Sequence, residues 1–303
     1  MKFNWKGKEW YIDGYLASQL DSLAYNVKDD WDFVIIISGD RMVRVGKSVL
    51  ALTICAYLCY SIQKLGLSDR DYNIDDIYFE NEDLITAAFT KPKYSINHYD
   101  EGREGLAANK AMKQFQQQLM DFFTECGQLN HIFVIVAPDY FELKEDIAVG
   151  RSEVLINVYR KEESKEMDIY KEGKKIPITK FSRGYFQFFS RNKKAQLYDN
   201  YKSRRRKSYF SVKPNFIGRF TNQYPVDEEE YKKKKKDSLT RFNQRKERDN
   251  MPAKRKSDVV RDKVIMDLKL LGKNGREISE EMARIYDFEI TEQTVNKIIA
   301  KKS

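Results

Sequence analysis

Residues 33–48 read Phe-Val-Ile-Ile-Ile-Ser-Gly-Asp-Arg-Met-Val-Arg-Val-Gly-Lys-Ser: an apolar run ends in a glycine, and a loop then closes on Gly46-Lys47-Ser48. The next residues, 49–60, have the apolar composition of a buried helix. Loop amides and a helix N-terminus attract an anion, a lysine reaches the outer phosphates, and a serine hydroxyl binds Mg²⁺. The stretch therefore predicts a strand, a phosphate-binding loop and a helix, with Lys47 and Ser48 as ligands.

The glycines of this loop have an irregular spacing. The usual pattern has a glycine five residues before the second one, where this chain has Arg41; the nearest glycine, Gly39, lies two residues further back. A strand-to-helix turn that carries Gly-Lys-Ser by chance is the alternative. If the loop binds a nucleotide, we expect the contacts to come from Gly39, Arg44, Gly46, Lys47, Ser48 and Val49.

A pair of acids about fifty residues after the lysine is the candidate for the second half of a nucleotide site. An extended segment, residues 94–101, ends in Asp100-Glu101. In Mg²⁺-dependent hydrolysis the first acid would hold the metal and the second would polarise the attacking water. A solvated turn is the alternative, because Asn97 and His98 make this strand less apolar than usual.

Further strands and helices alternate along the first half of the chain. Residues 105–126 predict a long helix, residues 131–137 a buried strand, and residues 154–159 another strand. The buried strand leads into Asp139, which could sense the γ-phosphate or belong to an ordinary loop. The alternation predicts an α/β fold, a parallel sheet with flanking helices, and the phosphate loop makes a P-loop NTPase the expected type. A ligand then binds at the carboxyl ends of the strands.

Composition narrows the class of protein. The chain is 41% hydrophobic and 13% aromatic, which indicates a globular fold. It has no apolar run of membrane-spanning length and no signal-peptide core at its start. The three cysteines, Cys55, Cys59 and Cys126, are expected to be reduced core residues, since with only two histidines in the chain they form no recognisable zinc-binding pattern. We therefore expect a cytoplasmic protein.

Charge is distributed unevenly along the chain. Residues 201–303 contain 28 Lys+Arg against 16 Asp+Glu, whereas the first 200 residues contain 27 against 30. Two basic runs, residues 202–207 and 232–236, lie in the basic third. Solvated or localisation-type charge runs are the alternative. The imbalance predicts a polyanion partner held by this third, and nucleic acid is the simplest such partner.

The pattern divides the chain into three parts: an ATPase domain over residues 1–225 with a β-hairpin extension at about 165–190, a charged linker over 226–257, and a helix-turn-helix-like DNA-binding domain over 258–303. Three short helices are predicted in the last part, with Ser279 as the cap of the second. The last helix would present Gln293, Thr294, Asn296 and Lys297 to the major groove. A trihelical module that docks a protein is the alternative.

Three segments of the chain resemble one group of ATPases. They are Trp31-Asp32-Phe33 leading into the loop, Tyr-Asp-Glu-Gly-Arg at 99–103, and residues 132–139 followed by Glu142-Leu143. They are similar to the zonular-occludens-toxin-like and FtsK/HerA-type P-loop ATPases of viruses and plasmids. The resemblance covers about residues 15–190, and only the phosphate loop is specific.

The resemblance implies an additional-strand RecA-like core, a homo-oligomeric ring, and movement of DNA driven by ATP. Lys47 and Ser48 carry over as nucleotide ligands, and Asp100 and Glu101 as the acidic pair, so that Ser48 and Asp100 would bind Mg²⁺. The arginine that acts on a neighbouring subunit's site has two candidates, Arg151 and Arg103. A capsid, portal or nuclease partner would fit such a motor. If the chain is viral, the resemblance implies the host cell cytoplasm as its location, or association with the virion.

The sequence thus predicts an ATP-hydrolysing DNA motor of a virus or mobile element, which packages, extrudes or transfers a genome. A loader or transposition-type ATPase that assembles on DNA is one alternative. A regulator or replication adaptor that binds nucleotide without hydrolysing it is another. ATP turnover distinguishes the three. A motor should hydrolyse ATP continuously when DNA stimulates it, a loader slowly after assembly, and a regulator not at all.

Overall fold

The computed structural model describes residues 1–39, 44–100, 121–122, 126–169, 174–249, 253–286 and 290–302. These residues divide into two compact units, 1–238 and 239–303. The predicted helix over residues 105–126 lies mostly outside the described ranges, and so do Arg41, Glu101 and Arg103. Among the described residues, no helix is both long and apolar enough to cross a membrane.

The first unit is an α/β fold. Its described residues form nine strands and five α-helices. The strands are β1 (Lys2–Trp5), β2 (Lys8–Tyr11), β3 (Phe33–Gly39), β4 (Ile77–Tyr78), β5 (Ile96–Asp100), β6 (Ile132–Val136), β7 (Ser152–Ile169), β8 (Lys174–Phe189) and β9 (Phe216–Arg219). The helices are α1 (Gly14–Val27), α2 (Lys47–Lys64), α3 (Asn81–Thr90), α4 (Arg191–Arg204) and α5 (Glu228–Asp249), of which α5 continues into the second unit. The expected α/β class is confirmed.

Seven of the strands form one mainly parallel sheet in the order β4-β5-β6-β3-β7-β8-β9. The five strands from β4 to β7 run parallel, and β8 and β9 add antiparallel strands at one side. Ile37 of β3 is in register with Val136 of β6, which is in register with Asp100 of β5. The carboxyl ends of these three strands therefore meet at the same edge.

Helices cover both faces of this sheet because its central strands are apolar on both sides. In β3, Ile35 and Ile37 pack into one core with α1 and α2, while Val34 and Ile36 pack into a second core with α3 and α4. A continuous apolar run such as this is typical of a parallel strand buried on both faces. The layering buries β3 in the middle of the sheet.

The hairpin of the first unit is longer than the sequence predicts. β7 and β8 are two long antiparallel strands whose register runs from Leu155↔Phe189 to Ile169↔Lys174. They contain the predicted strand at 154–159 and both arms of the predicted hairpin. Only β7 up to Val158 pairs with β3, so the far part of the hairpin is a two-stranded ribbon. Charged residues separate the apolar segments in the sequence, so the pattern predicts several short strands instead of two long ones.

The second unit contains a trihelical cluster. Its helices are α6 (Ala253–Leu270), α7 (Gly275–Tyr286) and α8 (Glu292–Lys302). Their buried side chains are Ile265, Leu268, Ile278, Met282 and Val295. The polar residues expected at the surface of the last helix are exposed: Gln293, Thr294, Asn296 and Lys297.

The prediction that Ser279 caps the second of these helices is wrong. Asn274 caps it instead: its Oδ1 accepts from the amides of Arg276 (3.1 Å) and Glu277 (3.0 Å). Glu277 Oε2 accepts from the Asn274 amide in return, which completes a capping box. Ser279 lies inside the helix and donates to the carbonyl of Ile290 (2.5 Å), which ties α7 to the start of α8.

Candidate active site

The loop between β3 and α2 presents backbone amides at a helix N-terminus. Gly46 immediately precedes α2 with a φ of 101°, and no side chain caps the helix there. Arg44 also has a positive φ, 63°, which is uncommon for a residue with a side chain. Backbone in this conformation makes concave groups of N–H donors, and an uncapped helix start adds more. This geometry suits an anion.

Gly46 also lies against an aromatic ring from outside the loop. A Cβ at this position would approach Phe220 Cζ to 2.9 Å, in addition to the strain of its φ. A Cβ at Gly39 would approach the Val158 carbonyl oxygen to 2.9 Å. Gly46 is therefore required by its positive φ together with the nearby ring, and Gly39 by the close approach of the Val158 backbone.

Lys47 folds back across the loop toward β6. Its Cδ passes within 3.4 Å of the place a Cβ would take on Gly39, and its Nζ donates to the Pro138 carbonyl oxygen (3.3 Å). The ammonium group therefore lies between the carboxyl ends of β3 and β6. A phosphate held by the loop amides would lie within reach of it.

Asp100, at the carboxyl end of β5, is joined to Ser48 through helix α5. Its Oδ2 accepts from Tyr231 Oη by a short hydrogen bond and from Lys235 Nζ at 2.9 Å. The same Nζ makes a long contact with Ser48 Oγ (3.5 Å). Asp100 Oδ1 is buried and has no hydrogen-bond partner among the described residues. The two expected Mg²⁺ ligands thus lie around one position.

Burial and charge act against each other on this carboxyl group. Burial alone would raise the pKa of Asp100, but the charges of Lys235 and His98 and hydrogen bonds from Tyr231 and Lys235 lower it. Burial raises the pKa of Tyr231, and the Asp100 charge adds to the effect. Asp100 is therefore ionised and Tyr231 is a neutral donor at neutral pH.

The donor set around Asp100 fits Mg²⁺. That ion prefers oxygen ligands and is usually held in proteins by one or two side chains together with phosphates and water. Ser48 supplies a hydroxyl, and Asp100 supplies a buried carboxylate with an unused oxygen atom. The described residues contain no cluster of three or more His, Cys, Asp or Glu side chains that would form an all-protein metal site.

Asp139 has a cation beside it. Its Oδ1 accepts from the amide of Phe141 (3.1 Å), and its Oδ2 forms an ion pair with Lys207 (3.2 Å). Lys207 also pairs with Glu142 (3.0 Å). The last residue of the basic run at 202–207 therefore offsets an acid that would otherwise repel a triphosphate.

The remaining predicted site residues lie in different places. Val49 is buried in the first turn of α2. Arg151 forms a close ion pair with Asp32 at the amino ends of the strands. Ser152 is in register with Val34, five residues before Gly39, so Arg151 lies roughly 16 Å along the sheet from the loop. It does not reach the loop of its own chain, and a role at a neighbour's site stays a prediction.

Residues of the C-terminal third reach this edge of the sheet, and the sequence did not predict them there. Tyr231 and Lys235 reach Asp100, Lys207 reaches Asp139, and the Tyr209 hydroxyl bonds Ser38 Oγ at 2.7 Å. One feature of the sequence could have indicated the contact of Tyr231 and Lys235 with Asp100. Tyr231 and Lys235 are four residues apart and so share one face of a helix, with the aromatic residue directed inward.

No protein-family model matches this chain, and no curated protein is detectably similar to it in sequence. The case for a function therefore depends on the geometry of the site.

Proposed function

We propose that this chain is a Mg²⁺-dependent ATPase that acts on DNA as a motor of a virus or mobile element. One observation carries the proposal: Lys47, Ser48 and Asp100 converge at the carboxyl edge of a parallel sheet. A lysine, a hydroxyl and a buried carboxylate around an uncapped helix start are the groups that a nucleoside triphosphate with its metal requires.

Each residue has a chemical role in this proposal. The amides of the loop and of α2 bind the phosphates, and the Lys47 ammonium stabilises charge on the outer ones. Ser48 and Asp100 hold Mg²⁺, which when bound neutralises charge on the phosphate oxygens. Glu101, which lies outside the described residues, would orient the attacking water and accept its proton. Asp139 and Lys207 lie at the end of β6, where they could respond to the outer phosphate.

The order of strands supports the same proposal. β6 lies between β3, which leads into the loop, and β5, which ends in Asp100. That is the position an additional strand takes in the RecA-like cores that the sequence resembles. The seven-stranded sheet is compatible with such a fold.

The DNA partner is inferred from charge and from the second unit. The excess of Lys and Arg is confined to the last third of the chain, and a trihelical cluster there exposes a polar last helix. Phosphate contacts from basic residues supply most of non-specific DNA affinity. A homo-oligomeric ring and a capsid, portal or nuclease partner follow only from the resemblance.

A second candidate is a regulator that binds nucleotide without hydrolysing it. The observation in its favour is that Lys235 already neutralises Asp100, which leaves less need for a metal. Turnover separates the candidates. A motor hydrolyses ATP continuously when duplex DNA is added, a loader slowly after assembly, and a regulator not at all.

The test compares Lys47→Ala with Lys64→Ala, a lysine at the opposite end of the same helix. We expect Lys47→Ala to lower turnover by about 10²-fold or more, because its ammonium group lies between the ends of β3 and β6, where the outer phosphates would bind. Glu101→Gln should keep nucleotide binding and lose cleavage. Binding of a fluorescent ATP analogue and steady-state hydrolysis, each with and without duplex DNA, are the measurements. Equal values for the two lysine variants would rule out the loop as the nucleotide site.

A further inference from the structure

Lys235 lies at the position that the metal of the proposed site would need. Its Nζ contacts three oxygen atoms: Asp100 Oδ2 (2.9 Å), Tyr231 Oη (3.1 Å) and Ser48 Oγ (3.5 Å). Two of these three groups are the expected Mg²⁺ ligands. The ammonium group is therefore a cation held by the oxygen atoms that would hold the metal.

We propose that Lys235 is a built-in counter-ion that occupies the Mg²⁺ position, so that helix α5 and the metal–nucleotide complex exclude each other. The inference rests on the proposed nucleotide site and names how that site is regulated. A buried carboxylate without a cation is costly, and Lys235 supplies one in the absence of metal. Two cations cannot share the same few oxygen atoms, since like charges repel.

Asp100 has a second carboxylate oxygen that can contribute to metal binding. Oδ1 is buried and accepts no hydrogen bond from the described residues. A divalent cation that displaces Lys235 from Oδ2 can use this oxygen as well, and it has a stronger charge than the ammonium group. The nucleotide phosphates, which also bind Mg²⁺, add to that competition.

The interactions that hold the start of α5 are mostly polar. Tyr231 is buried against Phe79 (ring centroids 6.0 Å apart) and Tyr224 (5.8 Å). Lys234 Nζ donates to the Ile74 carbonyl (2.8 Å), and Ser238 Oγ to Glu80 Oε1 (3.4 Å). This attachment contains one buried aromatic anchor rather than an apolar stripe. Tyr231 belongs to the core formed with α1 and α2, so the part of the helix that can separate without opening a core is the part after Tyr231, which the polar contacts hold.

Displacement of α5 would also act on the rest of the chain. The helix runs without a break past Ser238 to Asp249, and the residues from Leu239 on belong to the second unit. The segment that leads into the trihelical cluster is therefore held by the site when no metal is bound, and released when metal and nucleotide bind.

The first test compares Lys235→Met with Lys233→Met, an exposed lysine on the same helix. Mn²⁺ binding without nucleotide is measured by electron paramagnetic resonance, and affinity for a fluorescent ATP analogue is measured over a range of Mg²⁺ concentrations. We expect Lys235→Met to tighten Mn²⁺ binding about tenfold or more, and Lys233→Met to leave it unchanged. Unchanged or weaker Mn²⁺ binding in Lys235→Met would overturn the proposal.

A second test restrains the helix. Glu80→Cys and Ser238→Cys are combined and joined by a short reducible thiol crosslinker, with the two single variants treated in the same way. We expect the crosslinked protein to lose Mn²⁺ binding and regain it when the crosslinker is cleaved. Full Mn²⁺ binding in the crosslinked protein would show that α5 need not move, and the exclusion would be wrong.

The two proposals fail in different ways. If Mn²⁺ affinity changes with Asp100 and Lys235 but ATP-analogue affinity does not change with Lys47, the counter-ion proposal is supported and the ATPase proposal fails. If nucleotide binding depends on Lys47 but Mn²⁺ affinity ignores Lys235, the ATPase proposal stands and the counter-ion fails.

Discussion

Among single residues, opposite charges in this molecule are neutralised in pairs near the ends of the strands. At the carboxyl edge, Asp100 lies beside Lys235 and Asp139 beside Lys207; at the amino edge, Asp32 lies beside Arg151. Each acid is at least nine-tenths buried. Removal of one partner leaves a poorly solvated charge, so mutations here change stability as well as function.

Arg151 provides the first prediction. If Arg151 completes a neighbour's site, a mixture of the Arg151→Ala and Lys47→Ala proteins should recover activity, because some interfaces then combine an intact loop with an intact arginine. The recovery should be large, since an arginine finger is worth about 10³-fold or more in rate. Asp32→Asn is the control, because it breaks the same ion pair and keeps the arginine. Hydrolysis by the mixtures and the free energy of unfolding of each variant are measured. Equal loss of activity in Arg151→Ala and Asp32→Asn would show a structural role.

His131 provides a prediction about pH. Burial lowers its pKa to about 4, and its Nε2 lies 2.9 Å from the Pro92 carbonyl while its Nδ1 lies 3.2 Å from Asn97 Nδ2. A histidine with a lowered pKa contributes stability above about pH 6.5 and loses it as the pH falls toward 4. His131→Gln offers amide donors and an amide acceptor in place of the two ring nitrogen atoms and does not titrate. As the pH falls over that range, the unchanged protein should therefore lose up to about 3 kcal/mol more of its free energy of unfolding than His131→Gln does.

Urea unfolding at pH 7 and pH 4.5 measures the difference between His131→Gln and the unchanged protein. His98, whose pKa burial also lowers to about 4, is present in both proteins, so its titration cancels. Parallel loss of stability in the two proteins would show that His131 is protonated as readily in the folded state as in the unfolded state.

Among the helices and strands, those of the core were predictable and the interactions of α5 were not. Apolar runs identified β3 and β6, and parallel strands with their carboxyl ends at one edge necessarily bring Lys47 near Asp100. Tyr231 and Lys235 contact Asp100 across separations of 131 and 135 residues, inside a run of lysines whose composition indicates only a solvated face. Local sequence does not specify that pairing.

The boundaries of the C-terminal elements show the same limit. Residues 226–238, expected at the start of a charged linker, group with the first unit, in which Tyr231 and Ser238 are buried. One buried aromatic residue in a highly charged helix is too weak a pattern to predict packing. The helix cap at Asn274 was missed for another reason, since Asn-Gly is equally typical of a turn.

The β7–β8 ribbon provides the prediction for these elements. Lys161 is in register with Ser182, so residues 162–181 can be replaced by Asn-Gly, which favours a tight hairpin turn. The shortened hairpin lacks the stacking of Arg160 on Phe181 (3.8 Å) and a set of exposed charges. We expect the free energy of unfolding to fall by less than about 1 kcal/mol, as measured in urea. A loss above about 3 kcal/mol would mean that the ribbon belongs to the cooperative core.

Across the full chain, the first unit contains the candidate site and the second contains a small core of its own. Five buried side chains and their partly buried neighbours hold three helices together. This apolar core is small, but the capping box at Asn274 and the bond from Ser279 to Ile290 add local support. We expect each unit to remain folded when the other is altered.

A chain that ends at Asp249 tests this independence. It should stay folded, keep basal ATPase activity and lose most sequence-preferring DNA binding. Replacing the exposed Lys232, Lys233 and Lys236 by Gln should instead weaken binding evenly across sequences and reduce its salt dependence, by about 0.9 in the log–log slope for each DNA phosphate that is no longer neutralised. DNA affinity at two salt concentrations, on specific and random duplexes, is measured. Unchanged binding after truncation would point to a protein partner for the tail.

The edges of the central sheet limit how copies of this chain can join. The described sheet ends in β4, two residues long, on one side and β9, four residues long, on the other. Short edge strands expose few backbone donors and acceptors, so they are poor templates for adding a strand from another molecule. The β7–β8 ribbon differs, because beyond the pair Tyr159↔Tyr185 its described residues pair only with each other and leave both outer edges open. If copies of this chain join through sheet hydrogen bonds, the ribbon is therefore the place where a strand from another copy can be added.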